Sequence, residues 1–223
     1  MITVSPLTFA YPAGDFTLRL LGLAVARGET VAIVGPSGSG KTTLLSLLAG
    51  IMTPDTGIVT VDDVAVSSQD EPARRAFRLA RIGQVFQRVE LMDYLTVEEN
   101  ILLPLRLSGQ NITAEHRSRT AELIARTGLS GKARRRPGTL SQGERQRVGI
   151  CRALVAKPPV VLADEPTSSL DSATSEAVLD LFFSMVKEEG ATLVCLTHDT
   201  ALLPRFDRVE RMAQLIATGE AVA

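Results

Sequence analysis

The sequence predicts an α/β fold with a mostly parallel sheet, an N-terminal antiparallel β subdomain and an inserted α-helical subdomain. Three observations support this prediction. Apolar runs at positions 30–34, 160–163 and 192–197 are typical of strands that are covered on both faces in a parallel sheet. Shorter alternating runs near the N-terminus indicate antiparallel strands. Helical patterns dominate residues 88–156, which lie between the parts of the chain that favour strands.

The N-terminal part of the chain combines strand-like runs with turn residues such as proline, glycine and aspartate. The predicted elements are strands at residues 3–11, 16–25, 30–34 and 82–86, a hairpin at 58–66 around Asp62-Asp63, and helices at 41–49 and 71–80. The strand at 30–34 leads directly into a glycine-rich loop, and this loop opens the helix at 41–49.

The helical subdomain is predicted to span residues 88–156, and residues 1–87 with 157–223 form the core and its β subdomain, all within a single domain of residues 1–223. Proline and glycine residues are expected to break the helical pattern at Pro104, Gly109, Gly128 and Pro137-Gly138. The predicted helices are residues 113–127 and 141–156 in the subdomain and residues 172–189 in the core.

The composition is that of a folded soluble protein, with 45% hydrophobic and 22% charged residues. The formal net charge of −1 provides no global basic field that would attract nucleic acid. No run approaches the ~18 apolar residues that a membrane span needs, and the N-terminus lacks the pattern of a secretory signal. Cys151 and Cys195 have no metal-ligand partner at a recognisable spacing, so we expect two buried, reduced thiols.

A phosphate-binding loop is predicted at residues 35–42, GPSGSGKT, which match G-x-x-x-x-G-K-[ST] at every fixed position. Glycines allow successive backbone N–H groups to surround phosphates, and the helix N-terminus adds a partial positive charge. Lys41 is expected to reach the β- and γ-phosphates, and the Thr42 hydroxyl to bind Mg²⁺. Kinases, GTPases and motors share this loop, so it does not define the function by itself.

Two acids end the apolar run at residues 160–165, VVLADE. A strand that places an acid at its carboxyl end beside a phosphate loop is suited to holding Mg²⁺. Because successive strand side chains point to opposite faces, the two acids are expected to have different roles. Asp164 is the candidate metal-side acid, acting through a bound water, and Glu165 is the candidate general base. The alternative is a strand that ends in two solvated acids.

A capped helix is predicted near residues 140–148, LSQGERQRV, because Ser141 and Glu144 fit the S-x-x-E capping box. An apolar stripe follows on one face of this helix, at Val148, Cys151, Leu154 and Val155. LSQGERQRV closely resembles the signature motif of ATP-binding-cassette (ABC) ATPases. An ordinary capped helix would explain Ser141 and Glu144, but it would not explain their place in the chain relative to Asp164.

Further residues resemble elements of the same family in the expected order, so that the resemblance spans nearly the whole chain. Tyr11 lies where the family stacks an aromatic ring on adenine. Gln87 fits the glutamine that links Mg²⁺ and water to the helical subdomain. Residues 168–171, SSLD, fit the dimer-contact loop, and His198 fits the switch histidine that contacts the γ-phosphate.

The resemblance implies a P-loop NTPase (RecA-like) core and an enzyme that hydrolyses ATP with Mg²⁺. The catalytic residues that it implies are Glu165, His198, Lys41 and Gln87. The metal site that it implies consists of Thr42, Gln87 and Asp164. The nucleotide-binding residues that it implies are Tyr11, Gly35, Pro36, Ser37, Gly38, Ser39, Gly40, Lys41, Thr42, Thr43, Ser141, Gly143, Glu144 and Asp171.

The same resemblance implies two partners. Two copies of the chain are expected to pack head to tail, with each ATP between residues 35–43 of one subunit and residues 141–143 of the other. A separate integral membrane permease is expected to dock on the helical subdomain at residues 88–107, which would place the chain on the cytoplasmic face of the cell membrane. This stretch resembles the subgroup that serves lipoprotein release and macrolide or peptide export, so hydrolysis would power export or release.

The signature differs from the commonest form in the family, in which two glycines precede a glutamine. Gln142 replaces the first glycine and Glu144 replaces the glutamine, whereas the candidate phosphate contacts Ser141 and Gly143 are kept. The basic run at residues 132–136, KARRR, is interpreted as a solvated face or a subunit-contact patch rather than an anion or lipid site.

Two other functions are compatible with a phosphate loop. A non-transport ABC ATPase that acts on DNA or ribosomes would be expected to carry a long coiled coil or a second cassette, and the near-neutral charge argues against a nucleic-acid partner. A small-molecule kinase would leave the signature and His198 unexplained.

Overall fold

The computed structural model describes residues 1–12, 16–166 and 172–217. Its strands are β1 (Ile2–Val4), β2 (Leu7–Ala10), β3 (Thr17–Leu20), β4 (Leu23–Val25), β5 (Thr30–Val34), β6 (Val59–Val61), β7 (Val64–Ala65), β8 (Ile82–Val85), β9 (Val160–Asp164), β10 (Thr192–Leu196) and β11 (Arg208–Arg211). Its α-helices are α1 (Lys41–Leu48), α2 (Glu71–Arg81), α3 (Val97–Leu107), α4 (Ala114–Arg126), α5 (Gln142–Leu154), α6 (Ser172–Glu188) and α7 (Met212–Leu215).

Backbone contacts divide the chain into two compact units, one formed by Met1–Arg78 with Thr192–Ala223 and the other by Leu79–Ala191. This partition differs from the predicted one, in which residues 88–156 form a helical subdomain, and the latter stays a prediction. None of the helices in the described ranges has the length and apolar character needed to cross a membrane.

Parallel pairing in the first unit places β5 between β10 and β11. Leu196 pairs with Ile33, and Arg211 pairs with Val34. Val31–Ile33 is fully buried, as the apolar run predicts for a strand covered on both faces. Because these strands run in one direction, their carboxyl ends lie at the same edge, where the loop after β5 begins.

The first unit contains antiparallel strands, as predicted, but two of the predicted strands are each divided into two. β1 pairs with β4 and β6, and β2 pairs with β3. The predicted strand 3–11 is two strands separated at Ser5-Pro6, because Pro6 has no N–H to donate. The predicted strand 16–25 divides at Gly22, whose φ is +142°. The predicted hairpin at Asp62-Asp63 joins β6 to β7.

Close packing characterises the second unit, where β8 runs parallel to β9 and α5 packs on β8. A Cβ at Gly83 would lie 2.4 Å from the carbonyl oxygen of Ala153, so only glycine allows the helix to approach the strand here. A Cβ at Gly149 would lie 2.9 Å from both methyl groups of Val89. α5 therefore packs closely against the backbone of β8 on one side and against the Val89 side chain on another.

Pro104 does not break the helical pattern, so this prediction is wrong. α3 continues to Leu107, and the Ser108 N–H donates to the Pro104 carbonyl at 3.0 Å. Proline removes one hydrogen bond from the helix. Complete or nearly complete burial of Val97, Ile101, Leu102 and Leu105 offsets this loss.

Ion pairs connect α4 with the end of α6 in the second unit. Arg126 bonds Glu188 at 2.8 Å, and Arg119 pairs with Glu189. The Arg119 side chain is 10% exposed and that of Glu189 is 16% exposed, so this pair is screened less by solvent than a surface pair.

Candidate active site

The glycine-rich loop lies between β5 and α1, as predicted. Gly38 has φ +78° and Gly40 has φ +90°, a left-handed conformation in which residues with a Cβ are strained. A Cβ at Gly40 would also lie 2.9 Å from Leu18 and 3.0 Å from the Phe16 ring. These glycines therefore allow the backbone to turn sharply and expose its N–H groups at the start of α1.

Polar groups on this loop are arranged to receive an anion. Lys41 Nζ donates to the carbonyl oxygens of Gly35 at 2.7 Å and Pro36 at 2.9 Å, so the ammonium group lies over the loop. The Ser39 hydroxyl is buried and has no hydrogen-bond partner. The N-cap residue of α1 is Gly40, which has no side chain that could accept a hydrogen bond from the first amides of the helix. The loop therefore combines a cation, an unpaired buried hydroxyl and helix-terminal amides, all of which fit a phosphate chain.

An aromatic cluster lies beside the loop and includes Tyr11, the predicted adenine-stacking residue. The Tyr11 hydroxyl is 3.1 Å from the buried Thr43 hydroxyl. The Tyr11 ring meets Phe9 edge-on at a centroid distance of 5.0 Å and lies 6.3 Å from the Phe16 ring. Phe16 was not predicted as part of this cluster, although it is the aromatic residue at which the predicted strand 16–25 begins. The stacking role of Tyr11 stays a prediction.

His198 follows β10 and is exposed. The Thr197 N–H donates to the Ile33 carbonyl at 3.2 Å, and the Thr197 hydroxyl accepts from the Asp199 N–H at 3.0 Å. β10 and β5 are parallel, so His198 and the phosphate loop emerge at the same edge of the first unit.

The two acids end β9 in the second unit. Val160–Ala163 is fully buried, Asp164 is half-buried at the end of the strand, and Glu165 follows with a φ of +43°. The Gln87 amide donates to Glu165 Oε2 at 3.2 Å. The structure thus brings together the candidate base and the glutamine that the sequence analysis placed beside the attacking water.

The predicted capping box is present at the start of α5. The Ser141 hydroxyl accepts from the Glu144 N–H at 3.3 Å, and the Ser141 N–H donates to Glu144 Oε2 at 2.9 Å. Lys132 Nζ donates to the other carboxylate oxygen, Oε1. The hydrogen bond from Lys132 and then that from the Ser141 amide lower the pKa of Glu144 below its usual value, so this carboxylate is ionised at neutral pH.

Gln146 was missed by the sequence analysis. Its side chain is 2% exposed, and its amide donates to the Phe86 carbonyl at 3.4 Å. This contact connects the first turn of α5 to the residue before Gln87. A glutamine two residues before the first member of the predicted apolar stripe carries no signal of burial, because its partner is 60 residues away in the chain.

The cysteines are free and buried, as predicted. Burial raises the pKa of Cys151 to about 11, so its thiol is protonated and unreactive at neutral pH. The predicted dimer-contact loop at 168–171, including Asp171, lies outside the described residues.

The candidate Mg²⁺ ligands provide a hydroxyl from Thr42, a carboxylate from Asp164 and an amide oxygen from Gln87. Hard oxygen donors of this kind are the ones that Mg²⁺ prefers. Within the ranges that the structure covers, no cluster of three or more His, Cys, Asp or Glu residues could hold a metal ion. A site in which phosphates and waters supply most ligands does not need such a cluster; these donors are chemically suited to Mg²⁺, and their assignment as its ligands stays a prediction.

Comparison with known proteins yields a consistent group of relatives. The family model described as ABC transporter matches residues 18–168. The lipoprotein-releasing system ATP-binding protein LolD 1 of Rhodopirellula baltica is 44% identical over 94% of this chain and 94% of its own length. The methionine import ATP-binding protein MetN of Caulobacter vibrioides is 42% identical over 94% of this chain, which spans 63% of that relative.

Among solved structures, a dimer of the ATP-binding cassette MJ0796 in a post-hydrolysis state, bound to ADP and Pi, superposes with a TM-score of 0.85. It is 35% identical, and the match covers 97% of this chain and 94% of the cassette.

Proposed function

Because this chain belongs to the ABC transporter family and is an ATP-hydrolysing subunit, we propose that it works as a head-to-tail dimer that powers release or export through a separate membrane permease. The observation that carries the proposal is the capped helix of Ser141 and Glu144 in the same chain as a phosphate loop. A phosphate loop alone explains nucleotide binding, whereas the second helix N-terminus supplies the contact that a partner subunit needs.

The triphosphate is bound, in this proposal, by the loop at residues 35–43. The unpaired Ser39 hydroxyl and Lys41 contact the phosphates, and the Tyr11 ring stacks on adenine. Thr42, Gln87 and Asp164 would hold Mg²⁺, which would supply positive charge to neutralise the phosphates.

Hydrolysis is assigned to Glu165, which accepts a proton from water as the water oxygen attacks the γ-phosphorus and ADP leaves. The hydrogen bond from the Gln87 amide fixes the carboxylate of Glu165 and supports this assignment. His198, at the edge that carries the phosphate loop, contacts the γ-phosphate.

The second subunit completes each site through Ser141, Gly143 and Glu144, and the proposal gives Asp171 a role at the dimer contact. The dimeric cassette among the similar structures supports this arrangement. ATP therefore acts as a ligand that stabilises the dimer, and hydrolysis releases it.

The membrane partner is proposed to dock on residues 88–107, which would place the chain on the cytoplasmic face of the membrane. Tyr94 and Leu107 in this segment are 71% and 51% exposed, and exposed apolar side chains near acids such as Asp93 suit a partner groove. The LolD relative supports lipoprotein release, and the MetN relative shows that comparable identity extends to an import subunit. Both names describe transport, which favours a permease over DNA or the ribosome as partner.

The test of this proposal is the variant Glu165→Gln, which keeps the shape of the site and removes the base. We expect ATP hydrolysis to fall at least ~100-fold and a stable ATP-dependent dimer to accumulate, because the closing ligand is no longer consumed. Sedimentation velocity with ATP and with ADP measures the dimer. A variant that binds ATP and stays monomeric at every concentration would contradict the proposal.

Lys41→Ala is the matched control, because it removes the cation from the same site. We expect loss of nucleotide binding in a calorimetric titration and no ATP-dependent dimer. Wild-type turnover in Lys41→Ala would remove the assignment of the phosphate loop.

A further inference from the structure

The carboxylate of Glu144 occupies the first turn of the helix that is proposed to meet a phosphate. One oxygen accepts from the Ser141 N–H at 2.9 Å, and the other accepts from Lys132 Nζ. The side chain of Glu144 is 15% exposed and that of Lys132 is 29% exposed, so the charges are partly shielded from water. The replacement of the family's glutamine by Glu144 thus comes with a cation beside it.

The charge of Glu144 matters because of its position. The free amides and the dipole at the N-terminus of α5 are the features that attract a phosphate. An isolated carboxylate within the first turn would cancel this potential and repel the negatively charged nucleotide. Its pKa is lowered, so protonation does not remove the charge at neutral pH.

Lys132 is held in place by the backbone of its own loop. The Lys132 N–H donates to the Leu129 carbonyl at 2.9 Å, and the Lys132 carbonyl accepts from the Arg135 N–H at 2.9 Å. The Arg135 carbonyl accepts in turn from the Val97 N–H, the first residue of α3, at 2.9 Å. The loop is therefore fixed to α3 at one side and to α5 through the ion pair at the other.

From this geometry, and resting on the proposed function, we infer that Lys132 is a positioning residue for the shared ATP site. Its ammonium group neutralises the charge of the Glu144 carboxylate. The electrostatic potential at the N-terminus of α5 is therefore positive, as it would be without the carboxylate. Lys132 thereby lets a signature helix with a glutamate meet the phosphates of the ATP bound by a second copy of the chain.

The experiment measures the ATP-dependent dimer dissociation constant by sedimentation in the Glu165→Gln background. We expect Lys132→Met to weaken the dimer about tenfold, because the repulsion from Glu144 is no longer balanced. Lys132→Arg should restore the dimer. The matched control is Arg134→Met, which removes an exposed positive charge from the same loop and should change the dissociation constant less than twofold.

A double-mutant cycle separates this role from a purely structural one. When Glu144→Gln is also present, Lys132→Met should weaken the dimer less than twofold, because no carboxylate is left to neutralise. ATP binding to the monomer should be unchanged by Lys132→Met, because the phosphate loop provides it. If Lys132→Met fails to fold, the cycle is run with Lys132→Gln.

An equal loss of dimer in the Glu144 and Glu144→Gln backgrounds would overturn the inference, and so would wild-type affinity in Lys132→Met. The proposed function would survive either result. The absence of any ATP-dependent dimer while Lys132 and Glu144 are both present would overturn the proposed function and this inference together.

Discussion

Glu165, at the scale of a single residue, lies in a left-handed conformation with φ +43°. This conformation costs a residue with a Cβ about 1 kcal/mol, and the buried strand β9 before it stabilises the arrangement. The apolar run made both acids predictable as the end of a strand. The left-handed turn was not predictable, because glutamate is not a residue that favours such turns.

Replacing Glu165 by glycine should separate stability from activity. We expect Glu165→Gly to raise the free energy of unfolding by about 0.5–1 kcal/mol, because the strain is relieved, and to abolish hydrolysis. Denaturant titration and a phosphate-release assay measure the two effects.

Lys157→Gly is the matched control, since Lys157 is exposed and has φ +48°. It should gain similar stability and keep full hydrolysis. A loss of stability in both variants would show that these positions are not strained.

Contacts between side chains and partners that are distant in the sequence could not be predicted. Ser141 and Glu144 were predictable, because a capping box joins residues three apart. The pairing of Lys132 with Glu144 and that of Gln146 with Phe86 depend on how a loop and a helix fold back on other elements. No local pattern encodes those contacts.

Among the helices and strands, the sequence predicted most accurately those whose ends are set by residues close together in the chain. The predicted helix at 141–156 is α5, Gln142–Leu154, and the capping serine set its start. The strand predicted at 3–11 ends before Pro6, which has no N–H to donate, and the break is stabilised by distant contacts of Ser5. Its N–H donates to Ile58 O at 3.0 Å and its hydroxyl accepts from Ile58 N–H at 2.8 Å, contacts that sequence patterns do not show.

The contact between β8 and α5 should be sensitive to a single methyl group. We expect Gly83→Ala to lower the free energy of unfolding by about 1–3 kcal/mol, because its Cβ would lie 2.4 Å from the backbone oxygen of Ala153. Thermal and denaturant unfolding measure the change.

Gly138→Ala provides the comparison, because a Cβ there has nothing within 4 Å, and it should change stability by less than about 0.5 kcal/mol. Equal effects in the two variants would show that α5 can move away from β8.

At the scale of the whole molecule, the order of motifs along the chain predicted its family and its activity. The phosphate loop lies in the first compact unit, and the two acids with the signature helix lie in the second. Each motif consists of neighbouring residues and was visible in the sequence. The boundaries of compact units depend on contacts between distant segments, which a pattern of strands and helices does not contain, and the helical subdomain at residues 88–156 stays a prediction.

A site shared between two subunits should allow two inactive variants to complement each other. Lys41→Ala inactivates the phosphate loop, and Ser141→Asp keeps the helix cap but sets a negative charge against the phosphate. An equimolar mixture should recover hydrolysis that neither variant shows alone, because each mixed dimer has one intact site; random pairing of the copies would give about one quarter of the wild-type rate. A mixture no more active than its components would contradict a shared site.

The unpaired hydroxyl of Ser39 has a practical consequence for handling the protein. A buried donor without an acceptor costs roughly 1–3 kcal/mol, and any tetrahedral oxyanion that enters the loop supplies the acceptor. Sulfate or phosphate in a buffer should therefore raise the melting temperature and compete with nucleotide. Affinities measured in such buffers would understate how tightly the chain holds ATP.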